Sequence, residues 1–260
     1  MYIIKGNIYS VSRKGCSMSK LLNIQLSAFV NNHIDHTNVV DLMTELNNIN
    51  PDVTLLPNII QGQNIDIIKG EMTNRFNISF VSPDNAIRVI CMDERIDCNL
   101  SFEKIDPLSI DESLDYMGKV LKTILSKYNM PSNRLAININ ELSNITIEEN
   151  TDIRECSVSN NILTTLDYYN EKNLIEWSTR CNSQVPVKIS KKDDVLNVIT
   201  DISSVINTAT KAKKFLLHSD INTIPEHMNF RFNHNDIDSF VAVVGEIIKS
   251  IKDSFERIDV

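Results

Sequence analysis

Glycine is scarce in this sequence, and its few glycines form none of the common phosphate-binding or nucleophile motifs. Six glycines occur in 260 residues. None lies in G-x-G-x-x-G or G-x-x-x-x-G-K-[ST], the turns whose backbone N–H groups bind phosphate. Gly118-Lys119 fails the second pattern because residue 113 is serine. G-x-S-x-G is absent as well, so Rossmann, P-loop and α/β-hydrolase chemistry are not indicated.

Three further catalytic signatures are missing. No lysine follows Asp, Glu or Gln at a spacing of two, which argues against a restriction-type nuclease. No histidine follows an arginine by four to six residues, which argues against a familiar class of helical RNases. His-x-Glu, which begins the zinc deaminase signature, is absent too. These absences favour a protein that is not an enzyme and holds no cofactor.

The sequence also lacks long apolar runs, a basic excess and paired cysteines. No run of about 18 apolar residues is available to cross a membrane, and a net charge of −8 makes nucleic acid an unexpected partner. The five cysteines include no Cys-x-x-Cys, a usage typical of the reducing cytoplasm. Residues 1–18 have no apolar h-region, so we expect an N-terminal extension followed by one domain, residues 19–260.

Alternation of apolar and polar residues predicts several strands. Between Phe76 and Phe102 it predicts a three-stranded meander, whose first turn, Ser82–Asn85, has the composition of a type I turn. An extended segment, Pro57–Ile68, is expected to turn at Gly62. The other expected strands are Leu21–Val30, Arg134–Asn140, a pair within Leu174–Ile189, Val195–Ile206 and Phe215–Ile221.

Two segments have apolar residues at the spacing of an α-helix. Ile110–Tyr128 begins after Ser109-x-x-Glu112, which is a capping box. Asp236–Ile258 follows Asn235, a potential N-cap. Its apolar stripe consists of Ile237, Phe240, Val241, Val244, Ile247, Ile248, Ile251, Phe255 and Ile258.

These elements predict an α+β fold in which an antiparallel β-sheet packs against two long amphipathic helices. Strands followed by a long helix occur twice, over residues 19–131 and 132–260, so we expect two similar halves in a helix-grip-like arrangement. No repeat is evident in the sequence, and the halves rest on element order alone. Such a fold often leaves a cavity between its helices and its sheet.

Histidine and aspartate lie close together at two places. We interpret the first, His33–His36, as the polar start of a short helix. At the second place, alternate strand residues and a following loop supply carboxylate and imidazole groups for metal binding or acid–base chemistry. An exposed strand end with a polar loop is the alternative that we favour. The candidate metal ligands are His218, Asp220, His227 and His234.

Three residues are candidates for binding. Trp177 is the single tryptophan, and tryptophan is enriched at interaction hot spots; we favour packing in the core as its role. Arg88 and Arg134 lie on predicted strands and, with Arg75 and Arg95, could gather into an anion site. Scattered exposed arginines are the alternative.

Four blocks of this sequence resemble a group of bacterial proteins of similar length that are sporadically distributed and have no assigned function. The blocks are RFNISFVSPDNAIRVICMDERIDCNLSF, NRLAININEL, LLHSDINTIP and DSFERI. Asn140 falls where that group tends to place an asparagine, whereas Leu135 replaces a more polar residue. The resemblance implies a gene in a mobile-element or phage-defence locus.

We therefore expect a cytoplasmic, non-enzymatic protein-interaction module that binds a protein partner, with a homodimer as a further expectation. The first alternative is a module that binds a small apolar or anionic ligand between helix and sheet. The second is a metal-dependent hydrolase built on His218.

Overall fold

In a computed structural model, nine antiparallel strands form a single sheet. The structure describes residues 19–32, 34, 36–66, 71–102, 109–143, 176–206, 211–225 and 229–258. The strands occur in the order β2-β3-β4-β5-β1-β6-β9-β8-β7, and every neighbouring pair is antiparallel. This confirms the predicted α+β class with an antiparallel sheet. The strands are β1 (Ser19–Val30), β2 (Leu56–Asp66), β3 (Glu71–Val81), β4 (Ile87–Met92), β5 (Arg95–Ser101), β6 (Ser132–Ser143), β7 (Ser178–Ile189), β8 (Lys192–Ile206) and β9 (Lys213–Thr223).

The three helices of the described residues lie on one face of this sheet. They are α1 (Val39–Asn47, after a 3₁₀ turn at His36–Asn38), α2 (Ile110–Lys127) and α3 (Asp236–Ile258). Helix α2 packs on β1 and β5, α3 packs on β7 and β9, and the two helices pack on each other. Their apolar residues form one core with the strands, which includes Ile24, Leu26, Cys98, Leu121, Leu135, Ile137, Phe240 and Val244.

Side-chain hydrogen bonds define the start of both longer helices. The predicted capping box of α2 is present: Ser109 Oγ accepts from the Glu112 N–H at 3.2 Å, and Glu112 Oε2 accepts from the Ser109 N–H at 2.9 Å. Before α3, Asn233 Oδ1 accepts from the Asn235 N–H at 2.9 Å, and Asp236 Oδ2 accepts from the Asn233 N–H at 2.8 Å. Asn233, rather than the expected Asn235, therefore provides the side-chain cap of α3.

Two strand predictions were wrong in detail. Strand β2 continues through Gly62, which pairs with Arg75, because a register of eleven residue pairs with β3 outweighs the weakening effect of one glycine. Within Leu174–Ile189, the described residues contain one strand, β7, instead of a pair. It pairs with β8 along its whole length, and it tolerates Pro186 because an edge strand does not need every N–H for pairing.

The second face of the sheet is polar. Side chains alternate between the two faces of a strand, so Ile24 and Leu26 of β1 face the helices while their neighbours face away. No helix of the described residues covers this second surface, which we call the open face. On the two central strands it carries Asn23, Gln25, Ser27 and Phe29 of β1, and Arg134, Ala136, Asn138 and Asn140 of β6.

Candidate binding surface on the open face

A row of polar side chains crosses the open face. Asn23, Asn140 and His218 occupy opposed positions on β1, β6 and β9. Asn140 Nδ2 donates to Asn23 Oδ1 at 2.8 Å, so its Oδ1 is free to accept from His218 Nδ1, which lies 2.9 Å away. The row continues to Asp201 on β8 and Arg180 on β7. The bonds fix the imidazole with its proton on Nδ1.

The structure brings only part of the candidate metal site together. His218 and Asp220 share the open face, as expected, but Asp220 Oδ1 accepts a hydrogen bond from Asn222 Nδ2 at 3.1 Å. His234 lies in the turn before α3, and His227 is outside the described residues. Within those residues, no three His, Cys, Asp or Glu side chains form a group suited to a metal ion. The four-residue site therefore stays a prediction. The other segment, His33–His36, is described only at residues 34 and 36, so its interpretation stays a prediction as well.

A buried carboxylate lies on the same face, nearer the centre of the sheet. Asp97 of β5 is 3% exposed and accepts a hydrogen bond from Ser27 Oγ at 2.6 Å. Arg95 Nη2 contacts its second oxygen at 2.9 Å. Because a buried charge is costly unless it is paired, the contacts with Arg95 and Ser27 offset the cost of placing the Asp97 carboxylate there. The charge of Arg95 is thus compensated within the sheet.

No described residue compensates the charge of Arg134 in this way. Arg134 is opposite Phe29, and its guanidinium carbon lies 4.7 Å from the centre of the Phe29 ring, while that of Arg95 lies 5.7 Å away. The Nε of Arg134 is buried and has no hydrogen-bond partner among the described residues. The structure shows no ion pair between Arg134 and any other described residue. A cation stacked on an aromatic ring therefore retains unused hydrogen-bonding capacity.

A pocket of about 490 Å³ opens beside this pair. Phe29, Pro225 and Phe230 supply apolar walls, and Phe230 is 50% exposed. Arg134 and Glu94 supply groups of opposite charge at the same pocket. The pocket therefore combines an apolar surface with an uncompensated guanidinium, features that suit a small anionic group on an apolar body.

Arg88, the second predicted binding arginine, is exposed on β4 and also lies on the open face. It lines two adjoining shallow pockets together with Asn85 and Ile90. Its backbone carbonyl accepts from Asn99 Nδ2 at 3.4 Å. Arg88 and Arg134 therefore share one surface without sharing one pocket, while the side chain of Arg75 is outside the described residues.

Trp177, by contrast, is in the interior. It is 8% exposed, and its ring packs 5.5 Å from that of Phe215, which points toward the helices. Its backbone N–H donates to Ser204 Oγ at 3.3 Å. Little of the indole is available to a partner, so the structure supports the packing role that we favoured and not a surface anchor.

Sequence reasoning did not select Phe29, although its position carried a signal. Strand β1 alternates strictly between apolar Ile24, Leu26 and Ala28 and the polar residues between them, so Phe29 falls on the polar side. A large aromatic on an otherwise polar strand face is the mark of a binding surface. What the sequence did not reveal is that Arg95 and Arg134 lie on either side of it.

Neither the models of known protein families nor the curated proteins include a match to this chain. Within the described residues, no helix combines the length and apolar character needed to cross a membrane.

Proposed function

We propose that this protein is a cytoplasmic, non-enzymatic interaction module that binds an acidic surface of a protein partner through its open face. The observation that carries the proposal is the one-sided sheet: nine strands present one broad, mainly polar surface, and the described helices all lie on the other side. Such a wide, ordered surface suits a large partner better than a small substrate.

The distribution of charge supports an acidic partner. The chain as a whole has a net charge of −8, yet cations outnumber anions on the described part of the open face. Complementary potentials steer association and favour one partner over others. The cations are Lys20, Arg88, Arg95, Arg134, Arg180, Lys214 and, paired with Asp193, Lys188; the other anions are Asp97, Asp201, Asp220 and, at the Arg134 pocket, Glu94.

Capture from the host lysate tests this function. We expect Arg88→Glu together with Arg134→Glu to reduce the captured partner at least about tenfold, because both changes place like charge against an acidic surface. Lys119→Glu is the matched control, since it reverses an exposed charge on α2. Equal capture by both variants would contradict the proposal, and loss of capture after nuclease treatment would identify nucleic acid as the partner.

A second copy of the chain is the alternative occupant of this surface. Light scattering distinguishes the two cases: a homodimer that the arginine reversals dissociate would replace the foreign partner in our proposal. A phage-defence or mobile-element context is proposed from the sequence resemblance alone. We do not extend the proposal to a metal-dependent hydrolase, because His218 and Asp220 are engaged by Asn140 and Asn222.

We also propose that residues 19–131 and 132–260 are related halves, each a helix-grip-like unit. In each half a first strand is followed by a meander that returns to pair with it, and then by a long helix. Strands β1 and β6, the first of each half, both have twelve residues and pair at the centre of the sheet. The first half has one additional strand, β2, at its edge.

The contacts between α2 and α3 support this relationship. Asp111 of α2 pairs with Lys249 of α3 at 3.2 Å, and Asp238 of α3 pairs with Lys122 of α2. Each helix therefore contributes an aspartate near its start and a lysine eleven residues later to two equivalent ion pairs. With the helices aligned on these pairs, identical residues occur at five positions of each. They are Ile110, Asp111, Gly118, Lys122 and Ile124 in α2, and Ile237, Asp238, Gly245, Lys249 and Ile251 in α3.

A further inference from the structure

The two halves provide an internal comparison for the open face. When β1 is aligned with β6 from their first residues, Ser27 corresponds to Asn140. The strand registers then make Asp97 correspond to His218. Ser27 bonds to Asp97, and Asn140 bonds to His218. Both halves therefore place a hydrogen-bonded polar pair at the same position. A pair that occurs in both halves is expected to have a structural role in the sheet.

The cluster around Phe29 has no such counterpart. The position of Phe29 corresponds to Leu142, and that of its cross-strand neighbour Arg95 corresponds to Leu216. A pair of leucines therefore fills the place that the cation–aromatic pair fills in the first half. The same fold is built without the cluster, so packing alone does not account for an arginine–phenylalanine–arginine row.

We propose that the pocket at Arg134 binds a carboxylate of the protein partner that lies next to an apolar side chain of that partner. The proposal rests on the proposed function and names the chemistry of its central contact. The guanidinium can bind a carboxylate through parallel N–H donors, and no residue in the described part of the chain forms a hydrogen bond with its buried Nε. The exposed ring of Phe230, with Phe29 and Pro225 beside it in the pocket lining, receives the apolar part.

Glu94 opposes this binding. Its exposed side chain lines the same pocket, and like charges repel an incoming carboxylate. Replacing Glu94 with glutamine therefore tightens binding of an anion a few-fold, whereas replacing Arg134 with glutamine weakens it. A pocket that bound only apolar groups would respond to neither substitution in this way, which makes the pair a test of charge.

The experiment follows the Nε–H resonance of Arg134 in the full-length protein while phenylacetate is added. We expect the resonance to move with phenylacetate and to stay in place with phenylacetamide, which has the same ring and no charge. Arg134→Gln weakens phenylacetate binding at least about tenfold, and Glu94→Gln strengthens it a few-fold. Lys119→Gln, which removes an exposed charge on α2, leaves it unchanged.

Opposite results overturn the inference. An unmoved resonance at tens of millimolar phenylacetate, or equal effects of Lys119→Gln and Arg134→Gln, removes the pocket from the proposal. If partner capture nevertheless depends on the open face, the proposed function stands and only this inference fails. If phenylacetate binds and the arginine reversals leave capture intact, the carboxylate belongs to a free small molecule and not to the partner.

Discussion

Asn140 on β6 and His218 on β9 are directly opposed across the sheet, and the amide oxygen of Asn140 lies 2.9 Å from Nδ1 of the imidazole. The amide nitrogen of Asn140 is already committed to Asn23 on β1 at 2.8 Å. One asparagine therefore connects three strands through its side chain and sets the orientation of the only described histidine on the open face.

The first prediction concerns the proton on His218. Because Asn140 Oδ1 accepts, neutral His218 carries its proton on Nδ1, the less common form in water. Nitrogen-15 shifts of the ring at alkaline pH measure this directly. Asn140→Leu removes the acceptor and is expected to return the ring to the usual Nε2–H form. A ring that is already Nε2–H in the unsubstituted protein would show that the amide is oriented the other way.

The second prediction concerns Asp236, which lies where β8 meets α3. Burial acts to raise the pKa of this carboxyl, but hydrogen bonds from Lys192 Nζ and the Asn233 N–H outweigh burial and lower its pKa below the ordinary value. A lowered pKa in the folded state means that the ionised form stabilises the protein above the pKa of the unfolded chain. This stabilisation is lost as the pH falls through the lower folded pKa.

Asp236→Asn is therefore expected to lower the free energy of unfolding by about 1–3 kcal/mol at neutral pH. The difference from the unsubstituted protein shrinks below about pH 4, where the carboxyl of the unfolded chain becomes protonated. Urea unfolding at several pH values measures it. Asp253→Asn, an exposed carboxylate near the end of the same helix, is the control; a pH-independent difference at residue 236 would contradict the assignment.

The third prediction uses the two glycines at the contact between α2 and α3. A Cβ at Gly245 would lie 3.6 Å from Leu114 Cδ1, and one at Gly118 would lie 3.4 Å from Val241 Cγ2. Both are close to ordinary van der Waals distances, and alanine is favoured over glycine inside a helix by about 1 kcal/mol. Gly245→Ala is expected to raise the melting temperature, and Gly118→Ala to raise it less because its contact is tighter.

Substitutions of the same glycines by larger residues are expected to have the opposite effect on stability. Gly245→Leu is expected to destabilise the protein, since it would push α2 away from α3. Related halves predict the same order of effects at Gly118, with alanine tolerated and leucine not. Opposite responses at the two positions would weaken the case for equivalent helices.

The fourth prediction concerns thiol reactivity. Burial, aided by the charge of Asp97, raises the pKa of Cys91 to about 12, and the same causes raise the pKa of Cys98. Since the thiolate is the reactive form, neither is expected to react with a disulfide reagent before unfolding. Cys181 is exposed and is expected to react at once.

A background of Cys16→Ser and Cys156→Ser isolates these three thiols, because residues 16 and 156 are outside the described residues. One fast thiol is expected in the folded protein and three after denaturation. Cys181→Ser then removes the fast reaction. Rapid reaction of Cys91 or Cys98 in the folded state would show that the core around β4 and β5 opens readily.

Much of the secondary structure could be predicted from local sequence patterns. The spacing of Ser109 and Glu112 was enough to place the start of α2, because a capping box needs only four neighbouring residues. Alternation of apolar and polar residues predicted the β3–β5 meander, because this pattern also depends only on neighbouring residues. Where local signals conflicted with pairing, pairing decided: Gly62 indicated a turn, but eleven paired positions with β3 keep the strand continuous.

The similarity of α2 and α3 illustrates what local reading misses. The identical residues are sparse. A different number of strands precedes the long helix in each half, five before α2 and four before α3, so no fixed period connects the halves. The match becomes visible only when the Asp111–Lys249 and Lys122–Asp238 pairs align the helices. Register between distant segments is a property of packing, and a single sequence does not display it.

By itself, the sequence determined which residues prefer water and which do not, and thereby one apolar and one polar side for each strand. The tertiary structure alone decided that β1 pairs with both β5 and β6, which places Phe29 between Arg95 and Arg134. It also decided that Arg95 forms an ion pair with Asp97, while Arg134 forms none with any residue that the structure describes. Backbone pairing brings together residues that are far apart in the chain, and charge compensation depends on distances that only the assembled sheet sets.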